Sequence, residues 1–189
     1  MSNIISALQD VSYDGYVRVE AAGLSGMITL RGDLKDAKLC AAVKKLTGVD
    51  VPSKLAINQG AKTGVAWMSP DEVLVLLPYG KVDAGVKTLT KMLKGTHFMA
   101  HNVSDARAVF RLKGPAVREV LAKLSPADVS PQALPIGQIR RTRLAQVAAA
   151  FWIRDNETAE IVCFRSVAEY VFGILQISAR PGSRVNFDD

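Results

Sequence analysis

The stretch Asn102-Val103-Ser104-Asp105-Ala106-Arg107-Ala108-Val109-Phe110-Arg111-Leu112-Lys113-Gly114-Pro115 decides how the chain is divided. Ala108, Phe110 and Leu112 alternate with Val109, Arg111 and Lys113, the period of a strand with one buried face, and Gly114-Pro115 turns that strand into a helix. The same order occurs upstream. There Met27-Ile28-Thr29-Leu30-Arg31-Gly32-Asp33 is a short apolar strand, ended by a glycine ahead of a helix. Everything after residue 102 therefore reads as a second copy of what precedes it.

Working outward, the upstream helix carries Leu39, Val43 and Leu46 on one stripe and stops at Gly48. Ser69-Pro70-Asp71-Glu72 reads as the type I turn of a hairpin between residues 63–68 and 73–77. A helix with Val82, Val86, Leu89 and Leu93 on one face follows, and Gly95 ends it. Downstream, a helix shows Val117, Val120, Leu121 and Leu124. Residues 143–153 and 160–164 then read as two strands around Arg154-Asp155-Asn156-Glu157. Ser166-Val167-Ala168-Glu169 has the form of a capping box opening a last helix whose face is Val167, Val171, Ile174 and Leu175. The spacing between copies drifts, 82 residues from Gly32 to Gly114 and 85 from Trp67 to Trp152, as loop insertions make it do.

The expected fold is α+β: two pseudo-symmetric strand-strand-helix-hairpin-helix units related by a pseudo-twofold, each an antiparallel sheet with helices on one face. The expected boundaries are an extension over 1–15 with a short helix around Ile4, Ile5 and Leu8, a first repeat unit over 16–96, a second over 97–179, and a loose tail over 180–189.

A chain of 189 residues can bury a substantial core without staples. A mean hydropathy of +0.14 is high for a protein solvated on every side and leaves apolar surface for a partner. The longest apolar runs are too short to span a bilayer and the first residues lack a secretory signal pattern, so the expectation is a soluble cytoplasmic protein with no membrane partner. Cys40 and Cys163 match no metal spacing and are expected to be reduced thiols in the core. The net charge of +6 divides evenly along the chain but not in kind: ten lysines and two arginines supply the bases up to residue 101, and ten arginines and two lysines supply them afterwards. Arginine is the cation that interfaces and anion sites prefer, so the second half is the expected docking surface.

Asp105 and Arg107 are two residues apart and can orient a ligand or partner, or form a surface salt bridge or turn cap. Arg141 and Arg143 face one way along an alternating strand, and Arg140 and Thr142 the other. That strand suits a phosphate, a polyglutamate tail or an acidic protein patch, or else is a solvated basic edge. His97 and His101 have the spacing of metal ligands on a helix, but Gly95 argues for a strand and no third ligand is near, so no metal site is expected. Asp50 and Asp128 read as turn caps, and Trp67, Phe151 and Trp152 as core aromatics. Nucleophile elbow, glycine-rich phosphate loop and histidine triad are all missing, and no catalytic residue is assigned.

The strings Asn102-Val103-Ser104-Asp105-Ala106-Arg107, Gly114-Pro115 through Leu124-Ser125-Pro126-Ala127-Asp128, Arg141-Thr142-Arg143-Leu144-Ala145-Gln146 and Cys163-Phe164-Arg165-Ser166-Val167-Ala168-Glu169-Tyr170-Val171 resemble the gamma subunit of bacterial heterotetrameric sarcosine oxidase, as does Trp67-Met68-Ser69-Pro70-Asp71-Glu72. The resemblance implies the folate-binding fold of the glycine cleavage system aminomethyltransferase, two β-β-α-β-β-β-α units that swap their leading strands. It also implies an accessory, noncatalytic subunit of a complex that oxidises sarcosine on a flavin to an imine and passes the one-carbon unit to tetrahydrofolate. FAD, FMN, NAD and tetrahydrofolate would belong to the large subunits, with none bound by this chain, and the large (alpha) subunit would be its partner. Aminomethyltransferases carry paired aspartates on the strand that here reads Val147-Ala148-Ala149-Ala150-Phe151, which has no carboxylate. Two other classes are open on the residues alone: a free-standing tetrahydrofolate-binding module, and a nucleic-acid binder working through residues 140–143, the latter not the expectation.

Overall fold

The computed structural model describes residues 5–186. They form β1 (Ser12–Asp14), β2 (Arg18–Ala21), β3 (Ser25–Gly32), α1 (Ala37–Thr47), β4 (Ile57–Gln59), β5 (Gly64–Ser69), β6 (Glu72–Pro78), α2 (Val82–Met92), β7 (Phe98–Asn102), β8 (Arg107–Lys113), α3 (Val117–Leu124), β9 (Ile139–Leu144), β10 (Val147–Asp155), β11 (Thr158–Phe164) and α4 (Ala168–Ser178), with short 3₁₀ turns ahead of α2, β8 and α4. The chain divides into two units, Leu24–Ser104 and the residues up to Gly23 together with those from Asp105 on.

In the unit Leu24–Ser104 the antiparallel strand order is β4-β5-β6-β3-β7. Ile28 and Leu30 of β3, Val65 of β5 and Val73, Val75 and Leu77 of β6 pack with Leu39, Val43, Val82 and Leu89 of the two helices. Each such aliphatic side chain removed from water contributes about 1.5–3 kcal/mol. α1 begins at Ala37 because Asp36 accepts hydrogen bonds from the amides of Lys38 (2.7 Å) and Leu39 (3.0 Å), and it ends at Gly48, whose φ of 79° only glycine adopts without strain. The β5–β6 hairpin turns where the serine, proline and aspartate predict.

In the other unit the order is β1-β2-β8-β11-β10-β9. Phe110, Leu112, Phe151, Ile153 and Ile161 meet Val117, Val120 and Leu121 of α3 and Val171 and Leu175 of α4. β2 lies beside β8, with Val19 opposite Leu112, while β7 lies beside β3, with Ile28 opposite Asn102. The leading strand of each repeat is thus exchanged, as the resemblance implied, and the spatial units are offset from the sequence repeats 16–96 and 97–179 by those strands.

Several expectations are corrected. Residues 5–11 contain no helix, and residues 12–14 form a strand paired with β2; Ile4 lies outside the described residues. The strand expected over 143–153 is broken by a tight hairpin in which Leu144 pairs with Val147 and Ala145 takes a left-handed φ of 49°. Ser166 is no cap: it lies inside the 3₁₀ turn Arg165–Val167, and α4 starts without a side-chain cap. Trp152 and Phe151 are buried, but Trp67 is only half-buried. The described part of the tail is tied down, because the buried Glu119 carboxylate accepts from the Val185 amide (2.8 Å) and pairs with Lys123 (3.2 Å), which itself donates to the Ser183 carbonyl. Among the described residues no helix is long and apolar enough to cross a membrane.

Candidate functional site

β8 starts at Arg107 directly after the 3₁₀ turn Ser104–Ala106, which leaves Asp105 exposed in the turn and Arg107 as the first residue in the sheet. Since Ala108, Phe110, Cys163 and Ala149 point to the helix side, their neighbours point to the opposite face. Arg107 stands across from Phe164. One residue beyond the Cys163–Ala149 pair, Phe164 is level with Ala148, and Ala148 is opposite Arg143. Arg107, Phe164, Ala148 and Arg143 therefore form one row over four strands, about 14 Å across at 4.8 Å per step. The next row is Val109, Val162, Ala150 and Arg141.

The row is open to solvent at its centre. Phe164 is 47% exposed, and the Arg107 guanidinium carbon lies 4.1 Å from its ring centroid, a stacked cation–π pair worth about 0.5–1 kcal/mol at a surface. Arg143 is exposed and makes no ion pair among the described residues. Beyond Phe164 an open groove of about 630 Å³ runs past Ala106, Arg165, Ser166 and Glu169. Beside the row, burial pushes the Cys163 thiol up to about 11, with the Arg107 charge pulling the other way, so Cys163 is a neutral core thiol and no nucleophile. Both cysteines are free.

The opposite end of the same sheet face is also basic but neutralised. Arg111 pairs with Glu20 (3.1 Å) and Glu160 (3.0 Å), Arg154 with Glu160 (3.1 Å), and Lys113 with Glu20 (2.8 Å). Burial works to raise the Glu20 carboxyl, but hydrogen bonds from Lys113 and Arg111 hold it below its ordinary value. Cations there hold strands together, whereas Arg107 stacks on Phe164 and Arg143 is exposed.

The five residues singled out from the sequence separate accordingly. Arg107, Arg141 and Arg143 share the row and the one beside it, and Asp105 sits at its edge. Arg140 is elsewhere: from the helix side of β9 it donates to Gln138 Oε1 (3.1 Å), the Ile139 carbonyl (3.2 Å) and the Ala133 carbonyl, bracing the loop before the strand. Phe164 is the member that pattern reasoning passed over, since one apolar residue ending a strand looks like core; its place at the outer parity, opposite Arg107, is the signal that marks it. Asp128 caps its turn through the Ser130 amide (2.9 Å), while Asp50 instead pairs with Lys44 (3.0 Å). His97 precedes the extended β7 and His101 lies within it, about 13 Å away, and no group of three or more His, Cys, Asp or Glu among the described residues can hold a metal ion.

A sequence profile of the sarcosine oxidase, gamma subunit family matches residues 31–180. The chain is 33% identical over 129 residues to the sarcosine oxidase gamma subunit of Arthrobacter sp., covering 67% of this chain and 61% of that one. It is 30% identical over 132 residues to the gamma subunit of Corynebacterium sp. strain P-1, covering 69% and 64%. The matched region thus spans less than two thirds of the length of those two relatives. Among solved structures, a chain of the heterotetrameric sarcosine oxidase from Corynebacterium sp. U-96, in complex with pyrrole 2-carboxylate, superposes with a TM-score of 0.79 at 25% identity, covering 90% of this chain and 87% of that one. The glycine cleavage system aminomethyltransferase T from Bartonella henselae shares the fold, with a TM-score of 0.63 at 15% identity over 85% of this chain and 45% of that one. On the extent of the profile match, the chain belongs to the sarcosine oxidase gamma subunit family.

Proposed function

We propose that this chain is the accessory, noncatalytic gamma subunit of a heterotetrameric, flavin-dependent sarcosine oxidase, and that it docks on the large folate-binding (alpha) subunit through the Arg107–Phe164–Ala148–Arg143 row, with Arg141 beside it and Asp105 at its edge. The complex would oxidatively demethylate sarcosine to glycine with tetrahydrofolate as one-carbon acceptor, and FAD, FMN, NAD and the folate would sit in the large subunits. The observation that carries the docking role is the exposed Phe164 ring under the Arg107 guanidinium, an aromatic and an arginine side by side at the exposed end of that sheet face, the residue types that dominate protein interfaces. The residues of this chain do not suit the cofactors. β10 offers alanines at positions 148–150 where a carboxylate would steer a folate amine, and no glycine-rich turn is present to cradle a dinucleotide. No chemical step is therefore assigned to it.

Co-expression of the tagged chain with the large subunits tests the reading: it is expected to co-purify with bound flavin, and an Arg107→Ala/Arg143→Ala double variant is expected to lower recovery about tenfold. A tagged wild-type chain that never joins a flavin-containing complex overturns it. If calorimetry of the isolated chain then showed binding of tetrahydrofolate, the free-standing folate module would replace it.

A further inference from the structure

β2 and β7 are the leading strands of the two repeats, and only one of them is covered on its far side. With Gly32 matching Gly114, Leu30 matches Leu112, and the residues opposite them, Ala100 and Val19, match each other. Beyond β2 the sheet continues into β1, where Tyr13 lies opposite Val19. Beyond β7 no strand follows among the described residues. The hydrogen-bond phase of the two strands is the same. The Ala22 amide donates to the Val109 carbonyl and the Ala21 amide to the Val11 carbonyl, so alternate residues of β2 bond to β8 and to β1, with Val19 turned toward β1. In the other unit the Val103 amide donates to the Met27 carbonyl, which turns the amide and carbonyl of Ala100 away from β3, toward the open side. Val19 is fully buried, whereas Ala100 is partly exposed.

The other sheet ends show how a bare edge is guarded. β1 and β4 are three residues long, and β9 carries three arginines. The five residues of β7, Phe98-Met99-Ala100-His101-Asn102, include no proline, lysine or arginine, and their register against β3 has no bulge. Short length, cations and bulges keep an edge from taking another strand, and β7 is left without a cation or a bulge. Phe98 and Ala100 pack toward the helices of the unit, so the exposed Met99 and His101 stand on the opposite face. Asp83 is on the helix side, where it accepts from the Asn102 amide group (2.9 Å).

We infer that the free edge of β7 takes an extended segment of a partner subunit as a sixth, antiparallel strand. The filled copy of the slot, Ser12-Tyr13-Asp14, sets its pattern: one apolar side chain opposite Ala100 on the helix side, between residues that face outward, here against Met99 and His101. A second copy of this chain fits less well. Pairing β7 with itself about Ala100 sets His101 against Met99 twice, and about 17 Å of edge alone falls short of the roughly 1,000 Å² that a stable interface buries. A subunit held by further contacts meets neither obstacle, and main-chain bonds to an open edge are a general mode of recognition. The inference rests on the subunit reading above.

Hydrogen exchange on the co-expressed, flavin-containing complex and on the isolated full-length chain tests the site. The Ala100 amide is expected to exchange freely in the isolated chain and at least about a hundredfold more slowly in the complex, while the Met99 and His101 amides, bonded to β3, are slow in both. Ala100→Pro removes that outward donor and keeps the bonds to β3, and Met99→Lys places a cation on the edge. Each is expected to unfold like wild type as the isolated chain and to lower recovery in the complex at least about tenfold. Should Ala100→Pro fail to fold, Met99→Lys and the exchange rates carry the test. An Ala100 amide that exchanges as fast in the complex as in the isolated chain, or variants that both assemble like wild type, overturns the strand site while the subunit reading stands. If the wild-type chain does not assemble, the subunit reading has failed and the site falls with it. Sedimentation of the isolated chain as a dimer that Ala100→Pro dissociates would make the occupant a second copy and also overturn it.

Discussion

α2 and α4 occupy the same place in the repeated order of elements, each following a hairpin and a 3₁₀ turn, and each contains a glycine. In α2 the exposed residues include Asp83, Lys87 and Lys91, and Gly85 points inward, where an added Cβ would come within 3.0 Å of Leu77 and 3.1 Å of Ile28. In α4 the exposed residues include Tyr170 and Ile177, and Gly173 points outward into open space. One glycine lets a helix sit close on its own sheet. The other faces open space, and a side chain there would meet nothing. The contrast extends to the charges, since α2 exposes Asp83, Lys87 and Lys91 along its length and α4 exposes only Glu169, in its first turn.

The largest effect that sharpens this contrast lies within α4. Leu175→Ala, at a fully buried position, is expected to lose about 2–5 kcal/mol in urea unfolding, whereas Ile177→Ala, two residues on and facing out, should stay within about 0.5 kcal/mol. Equal losses would break the assignment of faces. Next in size is the glycine exchange: Gly85→Phe should cost about 1–3 kcal/mol by overpacking against Leu77 and Ile28, while Gly173→Phe leaves the thermal midpoint of the isolated chain unchanged.

The smallest effect is absent at neutral pH and concerns the two thiols, one per unit. The Cys163 thiol is raised by burial from an ordinary 9.0 to about 11. Its contribution is therefore fully present below pH 9 and is lost as pH rises through about 11, because the unfolded chain releases that proton first. Stability measured from pH 9 to 11 should fall less steeply in Cys163→Ala, and native Cys163 should react with a thiol reagent only after unfolding, while the half-buried Cys40 reacts in the folded chain. Equal native reactivity would contradict the burial difference between the units.

Much of this fold was legible because its signals are local. The parity of Ala108, Phe110 and Leu112 places β8 and its buried face, and the glycine at position 48 ends α1 where it should. The parity of Arg141 and Arg143 against Arg140 was legible in the same way. What local signals do not carry is pairing at a distance: nothing near residues 18–21 says that they join residues 110–113. Turn chemistry misled where an ordinary residue does a glycine's work, as at Ala145, and cap chemistry misled where Ser166 met a 3₁₀ turn instead of a helix start. The outer face of α4 was hidden for another reason. Its apolar residues read as more of the core stripe, because a helix with one charge leaves no polar side to mark its outer face.

The exchanged strands also set an order of events during synthesis. The unit Leu24–Ser104 is one uninterrupted stretch and can close as soon as β7 has left the ribosome. The other unit must keep β2 waiting for β8, some ninety residues later in the chain, and its core is sealed only by α4. Since α4 follows all six strands of that sheet in the chain, the core of the exchanged unit stays open until the helix has been made.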